Sequence, residues 1–213
     1  LNSLVRGTEK EPVRMYVTDV DTSTTVEQIL TIYKKGKPRL VAGRDEILDA
    51  IRSRGLREHF RTYSSFTKAD VEDIIYPPPI FERATKLEAW QFATSVAIND
   101  GKGRFTLRAL PAEAQFAPVY ASVVEDFDRD GKTDILLGGN FYGVTPTFGR
   151  YDASYGLLLR GTGGGNFAPV DMAESGVAIG GQIRDMKALR TARGRLIAVA
   201  RNNDSLLLLR PSK

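Results

Sequence analysis

Asp126-Phe127-Asp128-Arg129-Asp130-Gly131-Lys132-Thr133-Asp134, followed directly by Ile135-Leu136-Leu137, is the stretch on which the interpretation of the whole chain depends. Four carboxylates occupy its first, third, fifth and ninth positions, and at this density they repel one another unless a cation lies between them. Ca²⁺ suits such a site because it accepts about 6–8 oxygen ligands in flexible geometry. We therefore predict a Ca²⁺ site whose ligands are the side chains of Asp126, Asp128, Asp130 and Asp134 and the backbone carbonyl of Lys132.

The acidic loop is predicted to connect two β-strands. Gly131 supplies the sharp turn that returns the chain toward the ion. An EF-hand loop begins in the same way, but it needs a bidentate Glu at its twelfth position and a helix on each side. The twelfth position here is Leu137, inside an apolar run that ends at Gly138-Gly139 and is typical of a short buried strand. The alternative to a calcium loop between strands is an acidic surface turn without an ion.

A second stretch, residues 19–27, places oxygen-bearing side chains at the same relative positions. Ser23 and Glu27 replace two of the aspartates, and Thr24 takes the place of the glycine. These replacements leave open whether the stretch binds any metal. The candidate ligands of this degenerate loop are Asp19, Asp21, Ser23, Thr25 and Glu27.

The composition limits the class of protein. The chain has 213 residues, 42% of them hydrophobic, which is enough for one sizeable core or two small ones. Its net charge of +4 comes from 30 basic and 26 acidic residues spread along the chain, so we expect no nucleic-acid partner. No apolar run is long enough to span a membrane, and the absence of cysteine excludes disulfides. His59 has no acid or nucleophile near it in sequence, so we expect a surface residue.

The first part of the chain predicts strands interrupted by helices. Segments 13–17 and 28–33 alternate or are rich in β-branched and aromatic residues, as strands are. Residues 44–87 differ in character and predict a helical insertion. Asp45 is the expected N-cap of its first helix, and Thr67-Lys68-Ala69-Asp70 predicts a capping box that opens the second.

From residue 88 onward the chain returns to strands and begins to repeat. Glycines and a phenylalanine recur 62 residues apart, in the pairs Gly101 and Gly163, Gly103 and Gly165, and Phe105 and Phe167. A unit of about 60 residues made of short strands is typical of a propeller blade.

Two further features of this repeat bear on function. The glycine-rich segment 161–165 lacks the Lys-Ser/Thr ending of a phosphate-binding loop, so we predict a hairpin turn there. In the second copy, Asp185 matches Asp126, but the segment from Met186 to Arg195 has lost the later acidic positions. We therefore expect no calcium in that copy.

The acidic loop and its following strand, preceded by Gly101-Lys102-Gly103-Arg104-Phe105, resemble the FG-GAP/VCBS repeat that builds integrin-α-like β-propellers. Segments 110–116, 138–142, 149–156 and 200–204 resemble the C-terminal part of bacterial VCBS-repeat proteins of the ASPIC/UnbV type. The resemblance implies that the family's calcium ligands carry over onto Asp126, Asp128, Asp130, Lys132 and Asp134. It also implies an extracytoplasmic location (periplasm, outer surface or secreted), with the signal peptide outside this chain.

The expected fold is mainly β, with blades of antiparallel strands and a helical insertion. Three blade-like units are too few to close a typical ring of 4–8 blades, so we expect part of a larger propeller. The predicted units are residues 1–43 with 88–99 (first blade-like unit, degenerate loop), 44–87 (helical insertion), 99–160 (blade with the calcium loop) and 161–213 (third blade, metal loop lost).

The expected function is a non-enzymatic module in which Ca²⁺ is structural and the loops contact a protein or glycan. The partner class follows from the family resemblance alone. The alternative is a scaffold or part of a calcium-dependent hydrolase, which would need an open coordination position with a nucleophile and a base nearby. A homo-oligomer formed through open blade edges is a further expectation.

Overall fold

The computed structural model describes residue 3 and residues 5–144, 149–192 and 194–211. The predicted units 1–43, 99–160 and 161–213 each include a few residues outside these ranges. The described chain is mainly β, with several antiparallel sheets and short helices, which confirms the predicted β-rich class. It divides into two compact units: an N-terminal unit from Val5 to Phe92 and a C-terminal unit from Ala93 onward.

The N-terminal unit contains one four-stranded sheet with the order β3-β2-β1-β4. All neighbouring strands are antiparallel, and β4 returns to pair with β1 after the helices. The register of β1 and β2 places Thr18 opposite Glu27, so the degenerate loop lies at the tip of this hairpin. The strands are β1 (Val13–Thr18), β2 (Glu27–Lys34), β3 (Lys37–Leu40) and β4 (Thr85–Ala89).

Five short helices follow β3, and they share a core with the sheet. Tyr16, Val20 and Ile29 of the sheet side are buried together with Ile51 and Ile74 from the helical segment. Burial of such apolar side chains stabilises helices that are too short to be stable alone. The helices are α1 (Arg44–Ala50), α2 (Arg54–His59), α3 (Tyr63–Phe66), α4 (Val71–Ile74) and α5 (Pro78–Arg83).

The predicted helical insertion differs from the structure in three details. Strand β4 begins at Thr85, inside the predicted insertion. The predicted N-cap Asp45 is wrong: the helix is capped at Gly43, and the Gly43 N–H donates to the Glu46 carboxylate. Asp70 is the cap of α4, and its N–H donates to the Asp73 carboxylate, so the capping box starts three residues later than predicted.

The described residues of the C-terminal unit form three sheets. Strands β5 (Ser95–Asn99) and β6 (Phe105–Ala109) form a two-stranded hairpin. Four strands form an antiparallel meander in the order β10-β9-β8-β7: β7 (Val119–Glu125), β8 (Asp134–Gly139), β9 (Leu157–Gly163) and β10 (Asn166–Val170). A single helical turn, α6 (Met172–Ser175), leads to a three-stranded sheet of β11 (Ile183–Thr191), β12 (Gly194–Arg201) and β13 (Leu207–Leu209).

The four-stranded and three-stranded sheets share a buried core. Val123 and Leu136 from one sheet are buried with Ile183 and Val199 from the other. Gly138 makes this packing possible, because a Cβ at that position would lie 2.7 Å from Cδ1 of Ile183. The apolar run 135–137, predicted as a buried strand, lies within β8, whose six residues are all buried.

Both glycine-rich segments contain hairpin turns, but the turn predicted for residues 161–165 is confined to Gly164 and Gly165, because residues 161–163 lie in β9. Residues 100–104 connect β5 to β6, and residues 164–165 connect β9 to β10, with φ of 84° at Gly103 and 73° at Gly165. The boundary predicted between residues 160 and 161 falls inside β9, because β9 pairs with β10 as far as Gly163. No sheet of the described residues closes on itself.

Candidate metal centre

The acidic loop closes the hairpin of β7 and β8. Glu125, the last residue of β7, lies opposite Asp134, the first residue of β8. Between them, Asp126, Asp128 and Asp130 each place a carboxylate oxygen within 4.8 Å of the other two. The structure therefore brings three of the four predicted side-chain ligands into one cluster.

The loop backbone curls around these carboxylates. The N–H groups of Asp130, Gly131 and Lys132 donate to the carboxylates of Asp128, Asp126 and Asp130, at 3.1, 3.1 and 2.8 Å. Arg129 and Gly131 adopt the left-handed conformation, with φ of 65° and 84°. Each of these hydrogen bonds engages one oxygen of a carboxylate and thereby fixes the position of the second oxygen of the same group.

One oxygen of the cluster stands out. Oδ1 of Asp126 is buried and has no hydrogen-bond partner among the described residues. Leaving a buried acceptor unsatisfied costs about 1–3 kcal/mol, and more for a charged group. A bound cation would remove this cost, so the atom fits a metal ligand better than it fits an acidic surface turn.

Asp134, the fourth predicted ligand, has a different set of contacts. Its side chain is 2% exposed, and it does not belong to the cluster. Oδ2 accepts from the Phe127 N–H at 2.9 Å and Oδ1 accepts from the Gly161 N–H at 2.8 Å. Asp134 therefore ties the start of the loop to β9. Gly161 permits this approach, because a Cβ there would lie 2.1 Å from the backbone oxygen of Thr133.

Two basic side chains neutralise part of the negative charge. The ammonium of Lys132 lies 2.8 Å from Oδ2 of Asp130, and this hydrogen bond lowers the pKa of Asp130 and raises the pKa of Lys132. Arg160 bridges Asp128 at 3.0 Å and Glu174 at 2.8 Å. The hydrogen bond to Glu174 is the main cause of the raised pKa of Arg160. A cation that takes both oxygens of Asp130 would have to displace Lys132.

The degenerate loop 19–27 forms a second cluster. Asp19, Asp21 and Glu27 each place a carboxylate oxygen within 4.8 Å of the other two. Ser23 contributes differently, since its hydroxyl accepts from the Thr25 N–H at 3.3 Å. The structure thus joins three of the five candidates and uses the backbone of Thr25 inside the loop.

The two loops share one hydrogen-bond pattern, position by position. The sixth N–H donates to the first carboxylate: Thr24 to Asp19 at 2.9 Å and Gly131 to Asp126 at 3.1 Å. The second N–H donates to the ninth carboxylate: Val20 to Glu27 at 2.8 Å and, as described above, Phe127 to Asp134.

Two further bonds recur in the same way. The fifth N–H donates to the third carboxylate, from Ser23 to Asp21 and from Asp130 to Asp128, at 3.1 Å in both loops. The seventh N–H donates to the fifth side chain, from Thr25 to Ser23 and from Lys132 to Asp130.

The backbone conformations agree as well. The fourth and sixth residues of both loops have positive φ, namely 58° at Thr22, 69° at Thr24, 65° at Arg129 and 84° at Gly131. Comparing the sequences of the two loops is enough to align their oxygen-bearing side chains. It does not indicate that a threonine could occupy the glycine position in this conformation.

The segment that begins at Asp185, which matches Asp126 in the sequence repeat, has no loop at the matching place. Strand β11 runs unbroken from Ile183 to Thr191, and Asp185 lies within it. The Asp185 carboxylate accepts from the Met186 N–H at 2.9 Å.

A cavity of about 680 Å³ opens beside the acidic loop, lined in part by Asp128, Asp134, Arg160 and Glu174. The carboxylates of Asp128 and Glu174 are both paired with Arg160. The described lining residues include no histidine, and the chain has no cysteine.

The chain matches no protein-family model, no curated protein and no solved structure. The resemblance to the FG-GAP/VCBS repeat therefore stays a prediction from the motif. In the part of the chain that the structure describes, no helix is both long and apolar enough to cross a membrane.

Proposed function

We propose that this protein is a non-enzymatic, propeller-type interaction module in which Ca²⁺ stabilises the hairpin of residues 126–134. The observation that carries the proposal is the buried, unpartnered Oδ1 of Asp126 beside two further carboxylates. Three clustered carboxylates suit a hard cation with oxygen ligands, and Ca²⁺ tolerates irregular geometry better than Mg²⁺ does.

The proposed role of the ion is structural. The loop joins two neighbouring strands, and Asp134 links the same loop to β9 through the Gly161 N–H. Without a cation, the repulsion among Asp126, Asp128 and Asp130 opposes the closed loop. Ion binding would therefore stabilise the β7–β8 hairpin, because the energy of binding a preformed site adds to the stability of the fold.

The loop 19–27 is proposed as a second, weaker site. It offers the same scaffold and a cluster of three carboxylates, but a serine stands where the stronger loop has Asp130. Unlike the loop 126–134, it has no buried carboxylate oxygen without a hydrogen-bond partner among the described residues, so a bound ion would relieve less there.

The propeller part of the proposal is supported by the strand arrangement. Strands β7 to β10 form a four-stranded antiparallel meander, which is the form of one propeller blade. The two-stranded and three-stranded sheets have open edges, and a two-stranded hairpin is marginally stable by itself. Further strands of a longer propeller, or a second copy of the chain, would complete them. A protein or glycan partner outside the cytoplasm is proposed from the motif resemblance alone.

Thermal unfolding with and without calcium tests the proposal. We expect the melting temperature in millimolar Ca²⁺ to exceed that in EGTA, and Asp126→Asn to remove most of this difference. Asp152→Asn, at an exposed aspartate outside both loops, is the matched control and should keep the difference. Equal melting curves of the unchanged protein in Ca²⁺ and EGTA would refute the proposal.

A further inference from the structure

The N-terminal unit contains a basic cavity that neither acidic loop uses. It has a volume of about 750 Å³ and lies between the β2–β3 hairpin and the segment around α3. This volume is within the range of small-ligand sites, which is about 300–1,000 Å³. Five cationic residues line it: Lys34, Lys35, Lys37, Arg39 and Arg44.

The five cations differ in how they are held. The described residues give Lys34, Lys35 and Lys37 no ion pair and no side-chain hydrogen bond, so their charges stay available. Arg39 and Arg44, by contrast, are fixed by Asp70 at 3.1 Å and by Asp45 at 2.6 Å. Three unpaired ammonium groups beside two fixed guanidinium groups favour a ligand with more than one negative charge.

The floor and rim of the cavity are not basic. Leu40 and Ala69 contribute apolar surface, and the buried Phe66 lies below. Tyr63 stands at the rim with 64% of its surface exposed. Its position is fixed, because its hydroxyl donates to Asp45 at 2.5 Å and the Arg44 guanidinium lies 5.4 Å from its ring centroid. A rigid, exposed aromatic ring offers a flat face for a ring of the ligand.

We infer that this cavity binds an acidic oligosaccharide, with its carboxylate or sulfate groups on the lysines and a sugar ring against Tyr63. Several anionic groups on one short chain match the three unpaired lysines, and the apolar C–H face of a sugar matches the tyrosine. A single-stranded nucleic acid would be better served by several aromatic rings in a row, whereas this cavity offers one exposed ring. The inference rests on the interaction role proposed above, and it uses no residue of the loops 19–27 and 126–134.

Calorimetric titration of the full chain with trigalacturonic acid, and separately with a heparin tetrasaccharide, tests the inference. The first ligand carries carboxylates alone and the second carries sulfates as well, so comparing them shows whether sulfate groups are needed, and binding of either supports the inference. We expect the triple variant Lys34→Gln, Lys35→Gln, Lys37→Gln to weaken binding at least tenfold. The control Lys10→Gln, Lys102→Gln, Lys187→Gln removes the same charge elsewhere and should leave binding within twofold.

Tyr63 provides a second, independent readout. We expect Tyr63→Ala to weaken binding several-fold with little change in its salt dependence, whereas Tyr63→Phe keeps the ring and should retain binding. Circular dichroism melting checks that each variant is folded. Asp126→Asn should bind the oligosaccharide normally, which separates this inference from the calcium proposal.

Four results would overturn the inference: no binding of either acidic saccharide, equal binding of neutral maltotriose, equal weakening in both lysine triples, or tighter binding of oligothymidylate or a hexaglutamate peptide than of the saccharides.

Discussion

The loops 19–27 and 126–134 have one architecture but different chemistry. Four backbone hydrogen bonds and two positive φ angles recur at matching positions. Yet Ser23, Thr24 and Glu27 stand where the other loop has Asp130, Gly131 and Asp134. The comparison shows that the closed form of the loop depends on its acceptors at positions one, three, five and nine. Whether it binds a cation tightly depends on how many of those acceptors are charged and still have a free oxygen.

The ninth position shows the clearest contrast. Glu27 accepts one backbone N–H and belongs to its cluster, whereas Asp134 accepts two N–H groups and lies outside its cluster. The longer Glu side chain reaches both the backbone of Val20 and the other two acids. Both oxygens of the Asp134 carboxylate accept backbone N–H groups that stabilise the fold.

We expect the largest loss of stability from the substitution Asp134→Ala. It would leave the partly buried N–H of Phe127 and the buried N–H of Gly161 without their acceptor. Hydrogen bonds to charged groups contribute about 1.5–3 kcal/mol each, so we expect a loss of about 3 kcal/mol or more in urea denaturation. Glu27→Ala removes one such bond and should cost less. An equal or larger cost for Glu27→Ala would contradict the distinction.

A transfer of residues between the loops tests the role of charge. The double variant Ser23→Asp, Thr24→Gly gives the loop 19–27 the residues that the loop 126–134 has at its fifth and sixth positions. We expect its Ca²⁺ affinity to rise by about tenfold, because one more charged ligand is added on an unchanged scaffold. Calorimetric titration in an Asp126→Asn background isolates this site. Asp130→Ser, the reverse change, should lower the Ca²⁺ affinity of the loop 126–134. Unchanged affinities in both loops would contradict the role that we assign to the charge at the fifth position.

The sixth position predicts a smaller effect on stability. Gly131 has φ of 84°, and a Cβ there would contact nothing within 4 Å, so only the backbone conformation opposes a side chain. Gly131→Ala should cost about 1 kcal/mol. Gly180→Ala is the matched control, since Gly180 also has open space where a Cβ would lie but its φ lies outside the left-handed region. Equal losses in denaturation at the two glycines would show that the left-handed conformation is not responsible.

The smallest expected effect concerns the pKa of Asp130, which the hydrogen bond from Lys132 lowers. A lowered pKa means that this pair adds stability above the ordinary pKa of Asp and loses it as the pH falls through the lowered value. Lys132→Gln should raise the pKa of Asp130 toward its ordinary value.

The other loop supplies the reference for this titration. The pKa of Asp21 is also lowered, but mainly by Ser23, so Lys132→Gln should leave it unchanged. Carboxylate NMR titration in calcium-free buffer measures both groups, and a shift at Asp21 or none at Asp130 would count against this assignment.

The sequence alone predicts the local parts of this structure. Alternation and β-branched residues locate β1 and β2, and the apolar run 135–137 locates β8, because these patterns reflect local geometry. The spacing of aspartates predicts the cluster of Asp126, Asp128 and Asp130, since two-residue steps in a tight turn keep side chains together.

The long-range parts could not be predicted. Asp134 leaves the cluster because it accepts from Gly161, which lies 27 residues further along the chain. Likewise, β9 continues to Gly163 because it pairs with β10, so this strand crosses the boundary that the repeat spacing predicts. The cap at Gly43 was missed because Asp45 has the more favourable residue type, but its carboxylate instead accepts from Tyr63 and Arg44.

The most direct measurement is a crystal structure of the protein grown in millimolar Ca²⁺, with anomalous diffraction to identify the ion. We expect a calcium ion about 2.3–2.6 Å from Oδ1 of Asp126, with Asp128 and Asp130 among its ligands. A loop in which these three side chains turn into solvent and no ion is bound would contradict it.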